Sequence, residues 1–381
     1  MHTERNKTAF IVPYPFIPPK NGGHHAAFGF CDFLSRETEL VCISTTNNEE
    51  SDNFRLEKLF KDVITKYINP IVLCRLASYL KNNHIRWCIT HQPFIAFFLL
   101  PLSKYINTQF AIYVQNIEYQ RFKSLNKVWW PLLYGAEWFT YKVAKHLFFI
   151  SPDDQQAAMA VFNLPPSKCS VVHYGTYLTK SPSNKPHIRN ALVTQLQLNP
   201  QCKIILFFGP QTYAPNLEAV QIIRDRIYPV LDNKASFPYE ILICGGGMPA
   251  DQLRAFEAYP HLHYLGFVED IESYVTAADV MLNPILAGGG VKTKIIESIA
   301  VGTPVISFQT GATGMDVNVT GDKLITVADH DIDTFVDRII AVGQSGDTPT
   351  PDAFYDAYFW GHAIRPALTL LNDNTRSHSQ L

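Results

Sequence analysis

The sequence predicts two doubly wound α/β domains in tandem, on three observations. Short apolar, β-rich runs alternate with helical stretches along nearly the whole chain, and for that pattern a parallel sheet covered by helices is the economical solution. The alternation pauses at LTKSPSNKPHIRN, residues 178–190, which is polar, carries prolines, shows no apolar periodicity and reads as a linker. The length of 381 residues suits about two ordinary domains, and a hydrophobic share of 47% supplies two cores.

In chain order, TAFIVPY is the first strand; a Pro/Gly loop, a helical stretch from His24 to Arg36 and the strand ELVCIST complete a βαβ unit. WCIT, QFAIYV, HLFFI and CSVVHY continue the sheet, so an amino-terminal domain is expected over 1–180 and a linker over 181–197. The second domain, 198–354, repeats the grammar with KIILFFG, YEILICGGG, HLHYLGFV, VMLNP, TPVISF and KLITV as strands. A closing helix is expected over 355–373, with an apolar face that argues for packing. Ligands of doubly wound sheets sit beyond the carboxyl ends of the strands, so two such domains facing each other would hold a ligand in the cleft between them.

Composition excludes several function classes. With 32 Lys and Arg against 34 Asp and Glu, the chain has no long-range attraction for nucleic acid, and none is expected as a partner. Seven cysteines, at 31, 42, 74, 88, 169, 202 and 244, never approach C-x-x-C spacing and read as core thiols in a reducing cytoplasm. Prolines 13, 15, 18 and 19 break the apolar continuity a signal peptide needs. The most apolar run, FIAFFLLPL at 94–102, falls short of the roughly 20 residues of a membrane span. A cytoplasmic protein is therefore expected. The stretch KSLNKVWWPLLYGAEWFTYKVAK, 123–145, interleaves tryptophan with lysine; packing against the domain core is the favoured reading, and peripheral contact at the inner face of a membrane is the alternative.

The chemistry concentrates in PILAGGGVKTKIIESIAVGTPVIS, residues 284–307. Gly288, Gly289 and Gly290 let backbone N–H groups approach a ligand, and the positive end of the following helix adds to an anion site. Lys292 and Lys294 reinforce the charge, and Glu297, three residues beyond Lys294, shares its helix face. At about 1.5 Å per residue the helix rises roughly 10 Å from Gly290 to Glu297. A diphosphate at the glycines would thus leave its ribose toward Glu297, whose carboxylate can accept from both hydroxyls.

GGGVKTKIIESIAVGTPVIS resembles the donor-binding signature of retaining glycosyltransferases of the GT-B fold, family four, the group 1 glycosyl transferases. FFGPQTYAPNLEAVQIIRDRIYPVL resembles the opening of that family's second domain, HLHYLGFVEDIESYVTAADVMLNP its middle, and HQP and QNIEYQRF its amino-terminal loops. The resemblance implies two Rossmann-like domains facing a central cleft. It also implies transfer of a sugar from a UDP- or GDP-linked donor to an acceptor hydroxyl, with retention, in glycan, polysaccharide or glycoconjugate biosynthesis. The acceptor would be a glycan, a lipid-linked molecule or a small molecule, and no cofactor beyond the donor is implied. Gly22 and Gly23 resemble the first-domain loop over the donor phosphates, an ordinary tight turn being the alternative. His91 resembles the family's His-x-Pro histidine, with a structural role as the alternative. Glu118 resembles an acidic residue beside the acceptor, although a helix amino terminus also favours Glu. In this frame Lys294, His91 and Glu118 are the catalytic candidates.

Three departures stand out. The family's first glutamate falls on Gly289, GPQTYAPN lacks the usual Arg and Lys, and Gln115 in VQNIE replaces a histidine. A neutral amide hydrogen-bonds but does not shuttle protons. Lys294 must then carry more of the phosphate's charge. Asn216 reads as a helix cap. The Asp-x-Asp of HDIDTF, 330–335, also reads as capping, so no metal is expected. The alternatives to a transferase are a nucleotide-sugar epimerase or hydrolase of the same fold, and a non-catalytic partner that binds nucleotide or glycan.

Overall fold

The computed structural model describes residues 7–124, 126–287, 290–346 and 348–373. Among them are two sheets in which every strand pairing is parallel. The first has the order β3-β2-β1-β4-β5-β6-β7, built from β1 (Lys7–Ile11), β2 (Glu39–Thr45), β3 (Arg55–Phe60), β4 (Trp87–His91), β5 (Gln109–Val114), β6 (His146–Phe149) and β7 (Cys169–Val171). The second has the order β10-β9-β8-β11-β12-β13, from β8 (Lys203–Phe208), β9 (Tyr239–Cys244), β10 (Leu262–Gly266), β11 (Val280–Asn283), β12 (Val305–Phe308) and β13 (Leu324–Val327). Central strands are buried almost end to end because helices cover both faces, which is why they read as unbroken apolar runs.

Strand order fixes where ligands can enter. In the first sheet the winding reverses between β1 and β4, in the second between β8 and β11. At such a switch point the loops leaving adjacent strands run to opposite faces and open a crevice. The loops concerned are 12–21 and Gln92 in the first sheet, and 209–213, 284–287 and 290–292 in the second.

By contact the chain forms two compact units. One takes the residues up to Gly175, Gly290 with Val291, and the chain from Tyr358; the other takes the chain from Thr176 to the glycine loop and Lys292–Ala357. The stretch 181–197, expected as a linker, contains the helix Lys185–Gln195 and belongs to the second unit. Local apolar periodicity does not hold this helix. Arg189 does, donating to Ala277 O at 2.9 Å, to Asp279 Oδ2 at 2.8 Å and to Cys202 O at 2.5 Å, while Leu192 and Val193 are buried beneath it.

The closing helix over 355–373 is also corrected. It is three pieces, Asp352–Tyr358, Trp360–Ala363 and Arg365–Asp373. Phe359 is extended, and Pro366 lacks the N–H that would continue the ladder. The sequence reading also passed over β3, a strand of alternating charge whose half-exposed residues suit a sheet edge. All seven cysteines are free thiols, Cys74 exposed and the others buried. Among the described residues no helix is long and apolar enough to cross a membrane.

Candidate functional site

The carboxy-terminal switch point assembles a site around Lys294. The chain leaves β8 through Gly209 at φ +139, a conformation L side chains rarely adopt, and a Cβ there would stand 2.7 Å from Asn216 Nδ2. Asn216 is buried; its Nδ2 donates to Pro210 O at 2.9 Å and its Oδ1 accepts from Lys294 Nζ at 3.1 Å. Asn216 is therefore a bridge between the β8 loop and Lys294. It is not the cap of its helix, Ala214–Ile222, whose cap position is Tyr213.

Lys294 Nζ also lies 4.4 Å from the Phe207 ring centroid and 5.8 Å from that of Phe208. The ring faces attract the cation, but burial dominates and pushes its pKa down to about 7, with the Lys292 charge acting the same way and Glu297 opposing both. Lys292, Lys294 and Glu297 thus form one electrostatic group at the start of the helix Thr293–Ala300. Lys292 occupies its cap position and no side chain caps it by hydrogen bond. The first-turn N–H groups and the dipole retain their capacity for an anion. The opposite face, Ile295, Ile296 and Ile299, is buried. Gly288 and Gly289 lie outside the described residues. Beneath the loop after β11, Asn283 Nδ2 donates to Ser307 Oγ at 2.9 Å and to Gly311 O at 3.1 Å, tying β11 to β12.

The amino-terminal switch point gathers a second set. The helix Gly22–Glu37 begins after Asn21, whose side chain accepts from His24 N. Gly22 and Gly23 are absent from the positive-φ residues, and a Cβ on Gly23 would meet Asn21 Oδ1 and Gln115 Oε1 at an ordinary 3.4 Å. The turn itself does not demand glycine at 23. Gly290 differs: at φ +73, its Cβ would collide with Asn116 Oδ1 and stand 3.3 Å from Gln115 O. Gly290 and the loop after β5 are in close contact.

His91 closes β4 and is buried among aromatic rings, 5.2 Å from Tyr14 and 6.0 Å from Tyr113 by centroid. Tyr14 Oη is 3.1 Å from each ring nitrogen. Burial pushes the His91 pKa down to about 3, opposed by a hydrogen bond that Gln115 accepts, with His24 adding to the effect of burial. His91 is a neutral hydrogen-bonding imidazole at physiological pH, without a proton to exchange there. Gln115 is buried as well, and its Nε2 has no hydrogen-bond partner within the protein. Such a donor is costly unless something else satisfies it.

Glu118, where that loop passes into the helix Glu118–Ser124, is buried, 3.4 Å from Arg121 Nη1 and hydrogen-bonded to Asn116; burial raises its pKa. Sequence reasoning missed the residue that holds this loop, Glu137. Its carboxylate accepts from Glu118 N at 2.7 Å, Tyr119 N at 3.1 Å and Tyr141 Oη at 3.0 Å, and burial pushes its pKa up to about 7. An acidic residue in an apolar helix was its only signal. The structure thus brings Gly23, His91 and Gly290 together with Tyr14, Gln115 and Asn116, and brings Lys292, Lys294 and Glu297 together with Asn216. Elsewhere, Asp331 accepts from Thr334 N as the cap of Ile332–Gln344, and Asp333 pairs with Lys234.

Residues 202–345 match the family model described as glycosyl transferases group 1. Among solved structures the chain is similar to a glycosyltransferase from Rickettsia africae, with 13% identity, 98% of this chain and 99% of that chain covered, and a TM-score of 0.70. It is similar to HepE of Anabaena in complex with UDP and glucose, at 11% identity, 99% and 100% coverage and TM-score 0.68. Sucrose-phosphate synthase of Thermosynechococcus elongatus gives 15% identity, 98% and 100% coverage and TM-score 0.67. At these identities the likeness is one of fold, the GT-B fold. No curated protein matches the sequence significantly.

Proposed function

We propose that the protein, whose residues 202–345 match the group 1 glycosyl transferase model in a chain of GT-B fold, transfers a sugar, with retention, from a UDP- or GDP-linked donor to the hydroxyl of a glycan, lipid-linked or small-molecule acceptor. The observation that carries the reading is Lys294, a half-buried lysine held by Asn216 over two phenylalanine rings, at a switch-point helix start preceded by the glycine loop. The donor diphosphate takes the helix start and the Lys294 ammonium, and Glu297 takes the ribose. HepE, of the same fold, has been solved with UDP and with UDP-glucose, which supports a UDP-linked donor.

In the reaction the bond from the anomeric carbon to the diphosphate oxygen breaks, a bond to the acceptor oxygen forms on the same face, and the acceptor proton passes to the leaving phosphate. Negative charge grows on the diphosphate, where Lys294 and the helix N–H groups stabilise it. In the amino-terminal unit the buried amide of Gln115 and the neutral His91 offer hydrogen bonds to a hydroxylated acceptor, and Glu118 orients the loop that carries Asn116. A glycine at 289 where the family carries an acid favours one second reading, a nucleotide- or glycan-binding partner without turnover. Incubation with a panel of UDP- and GDP-sugars, with product detection, separates the readings: a glycosidic product supports transfer, free sugar or an epimer points to the other enzymes of this fold, and binding without product points to the partner.

Three results are expected. Glu297→Ala removes a charge-assisted pair of hydrogen bonds worth about 1.5 to 3 kcal/mol, so the Kd for the cognate nucleotide rises about tenfold or more by calorimetry; an unchanged Kd would remove the ribose from Glu297. Lys294 is cationic below its pKa of about 7 and loses its charge above it, so kcat/KM for the donor falls toward tenfold per pH unit on the alkaline side. Lys294→Arg flattens that limb, and His91 adds none between pH 6 and 9. Because Asp331 and Asp333 serve as cap and ion pair, EDTA leaves the rate intact; loss reversed by magnesium or manganese would show otherwise.

A further inference from the structure

We propose that the outer face of the helix Trp130–Val143, with the turn before it, is a docking surface for a bilayer containing anionic phospholipid. The helix turns Glu137, Thr140 and Tyr141 inward. That accounts for the packing expected of this stretch, but only for one side. On the other side Leu132 is 77% exposed and Trp138 48%, and the preceding turn projects Val128 at 89% and Trp129 at 44%.

The apolar surface does not stop at this helix. Phe139 meets Phe97 of the helix Pro93–Leu99 at 5.2 Å between centroids, and Phe94 of that helix meets Tyr67 at 5.7 Å. The segment around Tyr67 in turn projects Ile64, Ile68 and Ile71 at 81, 64 and 72% exposure. Large aliphatic side chains on either side of a row of half-exposed phenylalanines lose most of their contact with water on entering acyl chains.

Charge selects the occupant. Between residues 119 and 152 the acidic complement is Glu137 alone, and it is buried, whereas Lys123, Lys127, Lys142 and Lys145 are exposed. Lys142 donates to Asn163 O at 2.7 Å and Lys123 lies over the Trp130 ring at 5.1 Å; stems of this length can lie along apolar surface with the ammonium at the level of headgroup phosphates, and tryptophan suits the same depth. A protein partner would need matching acidic and hydrogen-bonding groups set against side chains that project singly; a layer of anionic headgroups over acyl chains supplies charge and apolar depth without register. The proposal goes beyond the donor reading and does not depend on it.

The test is flotation of the full chain with vesicles, in the absence of donor. The chain floats with an equal mixture of phosphatidylcholine and phosphatidylglycerol and not with phosphatidylcholine alone. Replacing Lys123, Lys127, Lys142 and Lys145 together by Gln lowers partitioning on the order of 10²-fold, since each basic side chain near such a surface contributes several-fold. Leu132→Ser with Trp138→Ser lowers it about tenfold or more. Unaltered thermal melting of the exposed lysine variant keeps the result interpretable if the apolar variant folds poorly. Absence of the parent from the mixed vesicles, equal flotation of the lysine variant, or a parent dimer that the apolar variant dissociates would each overturn the proposal.

Discussion

Lys294→Ala lowers kcat by a factor on the order of 10² or more and changes the donor KM much less. The reasoning begins with what surrounds the ammonium. Asn216 Oδ1 offers a neutral acceptor at 3.1 Å, and the nearer phenylalanine ring lies 4.4 Å away. Neither compensates fully for lost water, which is why the pKa lies near 7. A diphosphate beside it supplies the missing counter-charge, and that charge is larger when the glycosidic bond is breaking than when the donor is intact. The side chain therefore stabilises the transition state more than the bound ground state, and its removal appears in kcat. No arginine or lysine in GPQTYAPN shares the load. Lys292, at the cap position rather than on the Glu297 face, is the milder substitution. Steady-state kinetics on folded variants decide, and a near-parental kcat for Lys294→Ala would take this residue out of the reaction.

Trp360→Ala destabilises the amino-terminal unit by about 3 to 5 kcal/mol, the range for emptying a large aromatic site in a packed interior. Trp360 is 1% exposed. Its ring lies against Gly29 and Gly175, at each of which a Cβ would collide with the indole. The two glycines make a flat-walled slot that only a planar side chain fills, so an alanine leaves a cavity that the flanking backbone cannot close. Urea unfolding followed by circular dichroism measures the loss, and a change under about 1 kcal/mol would show that the chain from Tyr358 onward is weakly held. Gly29→Ala drives a methyl into the same ring and is expected to destabilise from the opposite side.

Much of the fold was legible because buried parallel strands must be continuous apolar runs, and each run read as a strand, from TAFIVPY to KLITV, is one. The misses have a common cause, in that the stabilising contact is distant in sequence. The edge strand β3 alternates charge and is held by pairing with β2. The helix Lys185–Gln195 depends on Arg189 reaching Asp279. Asn216 looked like a cap because local sequence shows only the proline before it, not Lys294 coming from 78 residues away. At the candidate site the spacing of Lys292, Lys294 and Glu297 was readable, since a helix converts spacing directly into a shared face. The neutrality of His91 and the shifted lysine were not, since both follow from burial that only the assembled sheets create.

The central claim, that the donor diphosphate rests on Lys294, is tested most directly by counting protons. A nucleotide sugar has no phosphate ionising near neutrality, so calorimetric titration at pH 8 in buffers of different ionisation enthalpy reads the protein alone. A lysine with a pKa of about 7 is then mostly neutral, so charging it against the diphosphate takes up at most about 0.9 proton per donor bound. The account predicts a fractional uptake in the parent, because the bound ground state holds this charge less strongly than the transition state, and near zero in Lys294→Ala. Tight binding with no proton uptake, or equal uptake in both proteins, would contradict it.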